Sequence, residues 1–231
     1  MSAFNKLEYE LYALLALNQS FPQFVQPPIV KEESPDWLDT ENEIGIEVSR
    51  AESTQIGYAK NLANQYLGKQ RDCIPNKRIE RFNGMLYFDN DDCLYAVSDT
   101  KGLFDADRHI CFALNSAEGK LNKLNSSHFC SGKDNCLFLY LTFSLLEGDG
   151  ELFLSQYNEL IKKYEKCYNH IFLMGHEEIC HIDIRKQETS LVSFDKSCIE
   201  GLDKAVHALG KLSAWEKGTA FFPEYKKLFK K

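Results

Sequence analysis

The chain has 231 residues, of which 44% are hydrophobic and 26% charged, with 13 glycines and 6 prolines. This composition excludes disordered, collagen-like and low-complexity chains, and the length fits one large domain or a core domain with an insertion. The formal net charge of −7 excludes a protein that coats nucleic acid generally, because such binding depends on an excess of Lys and Arg. A local basic patch is still compatible with this charge.

The cellular compartment is indicated by the first residues and by the cysteines. The first 20 residues lack the basic, long apolar and small-residue segments of a signal peptide. No stretch approaches the roughly 20 apolar residues that a transmembrane helix needs. We therefore expect a cytoplasmic protein without membrane association, in which the 8 cysteines are reduced and mostly buried.

Hydrophobic periodicity predicts the elements of the first part of the chain. Leucines at positions 7, 11, 14 and 15 recur with Phe4 at spacings of three and four, which predicts a helix with one apolar stripe. The segment IGIEV alternates, so that Ile44 and Ile46 share one face and Glu47 lies on the other. The predicted elements are a helix over about 3–18, an extended stretch from 29, a strand at 44–48 and a helix over about 52–68.

The rest of the chain continues to alternate between strands and helices. The predicted elements are a loop and a hairpin turning at Asn90-Asp91, a helix at 105–125, a strand at 138–145, a helix at 151–168, strands at 170–175, 179–185 and 190–194, and a short helix before the basic tail. This alternation predicts a single α/β domain over 1–231, with a central mixed sheet flanked by helices and an insertion at approximately 70–104.

Two acidic residues lie on either side of a predicted turn. Asp36 follows Pro35 and therefore enters an extended segment, whereas Glu47 lies in the middle of a strand. The residues DTENE between them are typical of a turn, so a hairpin would bring the two carboxylates together. Such an oxygen-rich site suits Mg²⁺ or Mn²⁺, which polarises a phosphoryl oxygen and lowers the pKa of bound water. The alternative is an acidic hairpin exposed to solvent.

These residues resemble the motif of the PD-(D/E)XK, or restriction-endonuclease-like, nuclease superfamily. Its signature is Pro-Asp, a turn of variable length, and then an acidic residue, any residue and Lys on the next strand. Pro35-Asp36 and Glu47-Val48-Ser49 fall in this order. The resemblance covers about residues 1–68 and implies an αβββαβ core.

The resemblance also implies a set of metal ligands. Asp36, Glu47 and the backbone carbonyl of Val48 would hold Mg²⁺ or Mn²⁺. An acidic residue of the first helix would complete the site, and Glu8 is preferred to Glu10 because it lies nearer the apolar stripe.

The chain departs from the motif at its lysine, because Ser49 occupies that position. Arg50 is no simple substitute, since the next residue of a strand points to the other face. In some families of this fold the lysine has moved to a neighbouring element, and Lys60 is the best such candidate here. The Ser49 hydroxyl is a second candidate for positioning water, although it supplies no charge. The alternative for Lys60 is a stem packed along the core with its charge in water.

A basic cluster follows the second predicted helix and is a candidate nucleic-acid contact. It consists of Lys69, Arg71, Lys77, Arg78 and Arg81, with Tyr66 and Phe82 nearby, and the chain ends in a further basic tail. Cations interleaved with aromatic rings can follow a phosphate backbone. The alternative is a basic loop in water.

Two groups of histidines and cysteines suggest a weaker alternative, a zinc or thiol enzyme. They are His176, Cys180 and His181, and His128, Cys130 and Cys136. Neither group shows the paired CxxC pattern of structural zinc, and the sequence has no P-loop or GxGxxG motif.

The sequence therefore predicts a Mg²⁺-dependent nuclease that hydrolyses phosphodiester bonds. Its predicted partner is nucleic acid, with DNA preferred to RNA. The main alternative is a catalytically inactive relative that binds a protein or nucleic acid on the same fold. A homodimer is compatible with both hypotheses.

Overall fold

The computed structural model describes residues 4–26, 28–51, 54–98, 106–126, 133–212 and 215–222. The helices are α1 (Lys6–Ser20), α2 (Thr54–Tyr66), α3 (Asn76–Arg81), α4 (Ala106–Leu124), α5 (Asp149–Ile161) and α6 (Lys196–Leu212). The strands are β1 (Ile29–Lys31), β2 (Trp37–Asp39), β3 (Ile44–Ala51), β4 (Met85–Phe88), β5 (Leu94–Ser98), β6 (Asp134–Leu141), β7 (His170–Met174), β8 (Glu178–Asp183), β9 (Glu188–Ser193) and β10 (Ala220–Phe221). Within these ranges, no helix is both long and apolar enough to cross a bilayer.

The chain divides into two compact units. The first unit consists of Met1–Ala51 and Ala113–Lys231, and the second of Glu52–Phe112. The sequence predicts an insertion at approximately 70–104 within one domain. The second unit begins earlier than this and includes α2, which the sequence analysis assigned to the nuclease-like core.

The first unit is built on a mixed eight-stranded sheet with the order β10-β1-β2-β3-β6-β7-β8-β9. Strands β1, β2 and β3 pair antiparallel in chain order, whereas β3, β6 and β7 run parallel to one another. Strands β8 and β9 return antiparallel. The prediction of an α/β fold with a central mixed sheet flanked by helices is thereby confirmed.

Residue alternation along β3 directs its side chains to opposite faces of the sheet. Ile46 and Val48 belong to the apolar core in which Leu14 of α1 and Val206 of α6 are buried. Glu47, between them, is directed to the opposite face, where its carboxylate meets α4. The predicted alternation of IGIEV therefore determines where this carboxylate lies.

Several element boundaries differ from the predicted ones for identifiable reasons. Strand β6 begins at Asp134, before the predicted start at 138, because its polar first residues carry no apolar signal yet pair in parallel with β3. Helix α5 ends at Ile161 rather than at 168. The chain leaves the helix there, and buried Tyr168 donates its backbone N–H to the Tyr157 hydroxyl over 3.2 Å. Helix α6 has 17 residues, longer than the short helix predicted.

The second unit has its own small core. It consists of Ala59, Leu62, Ile74, Phe82 and Leu94. The first two of these residues lie on α2, and Leu94 lies on β5, which pairs with β4 in the predicted hairpin. This hairpin turns between Phe88 and Leu94, around the predicted Asn90-Asp91.

Candidate functional site

The antiparallel pairing of β2 with β3 brings Asp36 close to β3. Trp37 pairs with Ile46, so extending the register by one residue places Asp36 across from Glu47. The Oδ2 atom of Asp36 accepts a hydrogen bond from the backbone N–H of Val48 over 2.8 Å. Both carboxylates are buried, with 3% of Asp36 and 0% of Glu47 exposed.

Glu47 is neutralised by two lysines of α4. The Nζ atoms of Lys120 and Lys123 lie 2.6 Å and 2.7 Å from the same oxygen, Oε1 of Glu47. Because a buried carboxylate is costly without countercharge, these two ion pairs offset part of the cost of burying Glu47. Helix α4 leads the chain from the second unit back to β6, and its last turns carry both lysines to the face of β3 on which Glu47 lies.

Glu10 of α1 is the third buried carboxylate of this region. It is 3% exposed, its Oε2 lies 3.1 Å from Nζ of Lys31, and its Oε1 lies 3.5 Å from Nζ of Lys6. The backbone carbonyl of Glu10 also accepts a hydrogen bond from Nε1 of Trp37 over 3.2 Å. This bond ties α1 to β2 next to Asp36. We refer to Glu10, Asp36 and Glu47 as the carboxylate cluster.

Glu8, the ligand preferred from the sequence, takes part in a helix cap and contacts a histidine. Its side chain accepts the backbone N–H of Asn5, and the Asn5 side chain accepts the backbone N–H of Glu8, which forms a capping box at the start of α1. Oε1 of Glu8 also lies 2.8 Å from Nδ1 of His207 on α6. The spacing of Asn5 and Glu8 is the sequence signal that identifies this cap.

Electrostatic interactions link the members of the carboxylate cluster. Burial raises the pKa of Asp36, and Glu10 raises it further, against the Val48 N–H, Lys120 and Lys31, which act to lower it. Burial lowers the pKa of Lys6, but Glu10, Asp36 and Glu47 outweigh this effect and leave it raised. The three carboxylates therefore act on a common region.

A cavity of about 170 Å³ adjoins the cluster in the first unit. Its lining residues are Phe4, Lys6, Tyr9, Glu10, Val48, Ser49 and Arg50. The guanidinium of Arg50 lies 4.9 Å from the centre of the Tyr9 ring. Ser49 is half-buried in this wall, beside Glu10, so its hydroxyl remains a candidate for positioning water.

The lysine predicted for the site, Lys60, is not one of the two lysines that contact Glu47. Lys60 lies exposed on α2 in the second unit. Lys120 and Lys123 are not among the site residues predicted from the sequence. The signal that could have found them is their spacing of three residues, which places both side chains on one face of a helix.

The predicted basic cluster separates into two groups within the second unit. Lys77, Arg78 and Arg81 line one pocket. Lys69 lies 5.5 Å from the centre of the Tyr66 ring, and Arg71 forms a 3.0 Å ion pair with Asp92. The lysines of the basic tail lie outside the described residues.

The structure describes only part of the two groups of histidines and cysteines singled out in the sequence. His181 lies beside His170, with Nε2 and Nδ1 3.1 Å apart. His128 and Cys130 lie outside the described residues. Within the part of the chain that the structure describes, no group of three or more His, Cys, Asp or Glu side chains is arranged to hold a metal as it stands.

His181 gives the fold a predictable response to acid. Burial, followed by the neighbouring His170, lowers its pKa from 6.5 to about 4. Between pH 4 and pH 6.5 the unfolded chain therefore binds more protons than the folded chain. The contribution of neutral His181 to the unfolding free energy is fully present above pH 6.5 and is lost as the pH falls towards 4. We expect His181→Phe, which stacks on Phe172 as the imidazole does, to flatten this part of the pH profile in urea denaturation. A variant with an unchanged profile would contradict the assignment.

Asp36 should reduce the stability of the fold at neutral pH. Its pKa is raised above the ordinary 3.8, so the unfolding free energy decreases as the pH rises from 3.8 through the folded value and stays reduced above it. Asp36→Asn keeps an acceptor for the Val48 N–H and removes the charge, so we expect it to be more stable than the wild type at pH 7 in urea denaturation. The gain should disappear in acid.

Glu8→Gln is the matched control for this measurement. Hydrogen bonding from Asn5 lowers the pKa of Glu8, so the charged form stabilises the fold at neutral pH and this variant should be the less stable one. Equal changes in the free energy of unfolding, of the same sign in both variants, would contradict these opposite effects of the Asp36 and Glu8 charges.

Comparisons of this chain with protein-family models, with curated proteins and with solved structures find no match.

Proposed function

We propose that this protein is a Mg²⁺- or Mn²⁺-dependent nuclease of the PD-(D/E)XK type, which hydrolyses phosphodiester bonds of nucleic acid at the carboxylate cluster. The observation that carries the proposal is that three carboxylates, from α1, the start of β2 and the middle of β3, are buried and that all three raise the pKa of Lys6. Glu10 and Ser49 also help to line a cavity. Buried charges that do not serve packing are typical of functional sites.

The order of elements in the first unit supports the proposal. Helix α1 precedes the antiparallel strands β1, β2 and β3, and α4 then leads into β6, which pairs in parallel with β3. This order corresponds to the αβββαβ succession that the sequence resemblance implies. The second unit follows β3, which is compatible with an insertion before the crossover helix.

The donor set fits a hard divalent cation. Among the described residues, Oε2 of Glu47 is a buried side-chain oxygen without a hydrogen bond, and buried Oε1 of Glu10 has only the 3.5 Å ion pair with Lys6. Such oxygens are the preferred ligands of Mg²⁺ and Mn²⁺. Asp36, Glu47, Glu10 and the carbonyl of Val48 would hold the ion, which when bound would polarise a phosphoryl oxygen and lower the pKa of a water ligand.

Lys120 is the best candidate for the role of the motif lysine. Its ammonium group lies 2.6 Å from Oε1 of Glu47, so a positive charge accompanies a proposed metal ligand without a lysine at position 49. A cation held there would stabilise charge that develops on the phosphate during attack. The Ser49 hydroxyl, on the cavity wall, would orient water beside it.

One observation favours the second candidate, a non-catalytic relative that binds a partner on the same fold. Both lysines already neutralise Glu47, as a metal ion would in an enzyme. In a protein that has lost the metal, such a pair would preserve the fold around the buried carboxylate. The two candidates differ in whether nucleic acid is cut.

The test is a cleavage assay on linear, circular and single-stranded DNA and on RNA, with Mg²⁺, Mn²⁺ or EDTA. The nuclease proposal predicts cleavage that requires the metal and falls by at least about 100-fold in Asp36→Asn and in Glu47→Gln. Glu159→Gln is the matched control, because this carboxylate lies 72% exposed on α5. Persistent cleavage in both cluster variants would exclude this site, and binding without cleavage by the wild type would favour the second candidate.

A further inference from the structure

The second unit contains a basic pocket between α2 and α3. Its volume is about 300 Å³, and its lining residues are Tyr58, Asn61, Leu62, Gln65, Lys77, Arg78 and Arg81. Three cationic side chains from α3 and two amides from α2 thus face one cavity. The lining contains no carboxylate, since exposed Glu80 of the same short helix is not part of it.

Contacts between the two helices fix the walls of this pocket. Nη1 of Arg78 donates a hydrogen bond to Oε1 of Gln65 over 2.5 Å. The Tyr58 hydroxyl donates to the backbone carbonyl of Arg78 over 3.2 Å, and the Tyr58 ring stacks on Phe82 with 5.9 Å between centroids. The Arg78 guanidinium is therefore held in place before any ligand arrives, which reduces the entropy lost on binding.

The chemistry of the lining suits a phosphodiester group. Arg and Lys neutralise phosphate charge, and the Asn61 and Gln65 amides add neutral hydrogen-bond donors. Tyr58 and Leu62 are the only apolar residue types in this lining, and the volume is at the low end of the range of small-molecule pockets. A charged backbone passing over the surface fits this lining better than an enclosed metabolite does.

We propose that this pocket binds the phosphate backbone of a nucleic-acid strand. It is a site distinct from the carboxylate cluster, and it would bind its ligand even if that cluster were inert. Of the basic residues singled out in the sequence, Lys77, Arg78 and Arg81 form this site, whereas Lys69 and Arg71 lie outside its lining.

The test is fluorescence anisotropy with a labelled oligonucleotide, single-stranded or duplex, in EDTA so that no metal-dependent cleavage occurs. We expect the double variant Lys77→Gln/Arg81→Gln to bind about tenfold more weakly or worse. Its slope of log affinity against log salt should be smaller by about 1.4 for single strands and about 1.8 for duplex. Arg78 is kept because it joins α2 to α3, and a thermal melt followed by circular dichroism confirms that the variant is folded.

The matched control is Lys69→Gln/Arg71→Gln, which removes the same charge from the same unit outside the pocket. It should weaken binding by less than about threefold. Equal losses in the two double variants, unchanged binding in Lys77→Gln/Arg81→Gln, or no binding by the wild type would overturn the proposal. So would thymidine monophosphate binding as tightly as the oligonucleotide, because the ligand would then be a free phosphate ester.

The outcomes separate this proposal from the nuclease proposal. Loss of binding in Lys77→Gln/Arg81→Gln, together with no cleavage by the wild type, would retain the backbone pocket and remove the nuclease. Unchanged binding together with metal-dependent cleavage would do the reverse.

Discussion

Glu10→Gln is expected to lower the rate of metal-dependent cleavage by at least about 100-fold, because it removes one of the three oxygen-donor side chains proposed to hold the cation. Glu8→Gln, two residues earlier on α1, should leave the rate within about twofold of the wild type. Glu8 contributes to a helix cap and contacts His207, whereas Glu10 lies buried and raises the pKa of Asp36. Initial rates at saturating Mg²⁺ would measure both effects.

This pair of variants separates the structural assignment from the one preferred by sequence. Both substitutions remove one carboxylate from the same helix, so general effects of charge are matched. A large loss in Glu8→Gln with normal activity in Glu10→Gln would contradict the placement of α1 described above. Similar losses in both would indicate that activity depends on the stability of α1 and not on a particular ligand.

The second large effect concerns the lysines on Glu47. We expect Lys120→Met/Lys123→Met to lower the free energy of unfolding by about 3–5 kcal/mol, because it leaves a carboxylate of 0% exposure without countercharge. Adding Glu47→Gln should restore most of this loss, since no buried charge then remains. Urea denaturation in EDTA would measure both variants.

The single variant Lys123→Met is the control for the double one. It leaves Lys120 on Oε1 of Glu47, so its loss should be clearly smaller than that of the double variant. If the double variant were as stable as the wild type, or if Glu47→Gln failed to rescue it, the ion pairs would not be what holds Glu47 in the fold.

The sequence predicts well those structural features that depend on residues close to one another in the chain, such as strand alternation, turns and helix periodicity. The alternation of IGIEV and the turn at 39–43 are sufficient to place Glu47 on one face of β3 and Asp36 across from it. The helices α1 and α4 and the hairpin of β4 and β5 follow from periodicity and turn residues in the same way. Hydrophobic spacing is also what predicts the mixed sheet with its flanking helices.

The features that sequence did not predict depend on distant contacts or on competing local ones. Lys120 lies 73 residues after Glu47 in the chain, so only the return of α4 across the sheet reveals their contact. The preference for Glu8 rests on the apolar stripe alone, whereas the structure also shows Glu8 in a capping box with Asn5. The sequence predicts an insertion at approximately 70–104, whereas the second unit also includes α2, because α2 packs with Ile74 and Leu94, which periodicity within one helix cannot show.

The most direct test of the carboxylate cluster is a titration of the metal-free protein with Mn²⁺, followed by electron paramagnetic resonance of the unbound ion. We expect the wild type to bind Mn²⁺ stoichiometrically, and Asp36→Asn and Glu47→Gln each to bind it at least about tenfold more weakly while remaining folded. Wild-type protein that takes up no Mn²⁺, or variants that bind it with unchanged affinity, would contradict the assignment of these carboxylates as metal ligands.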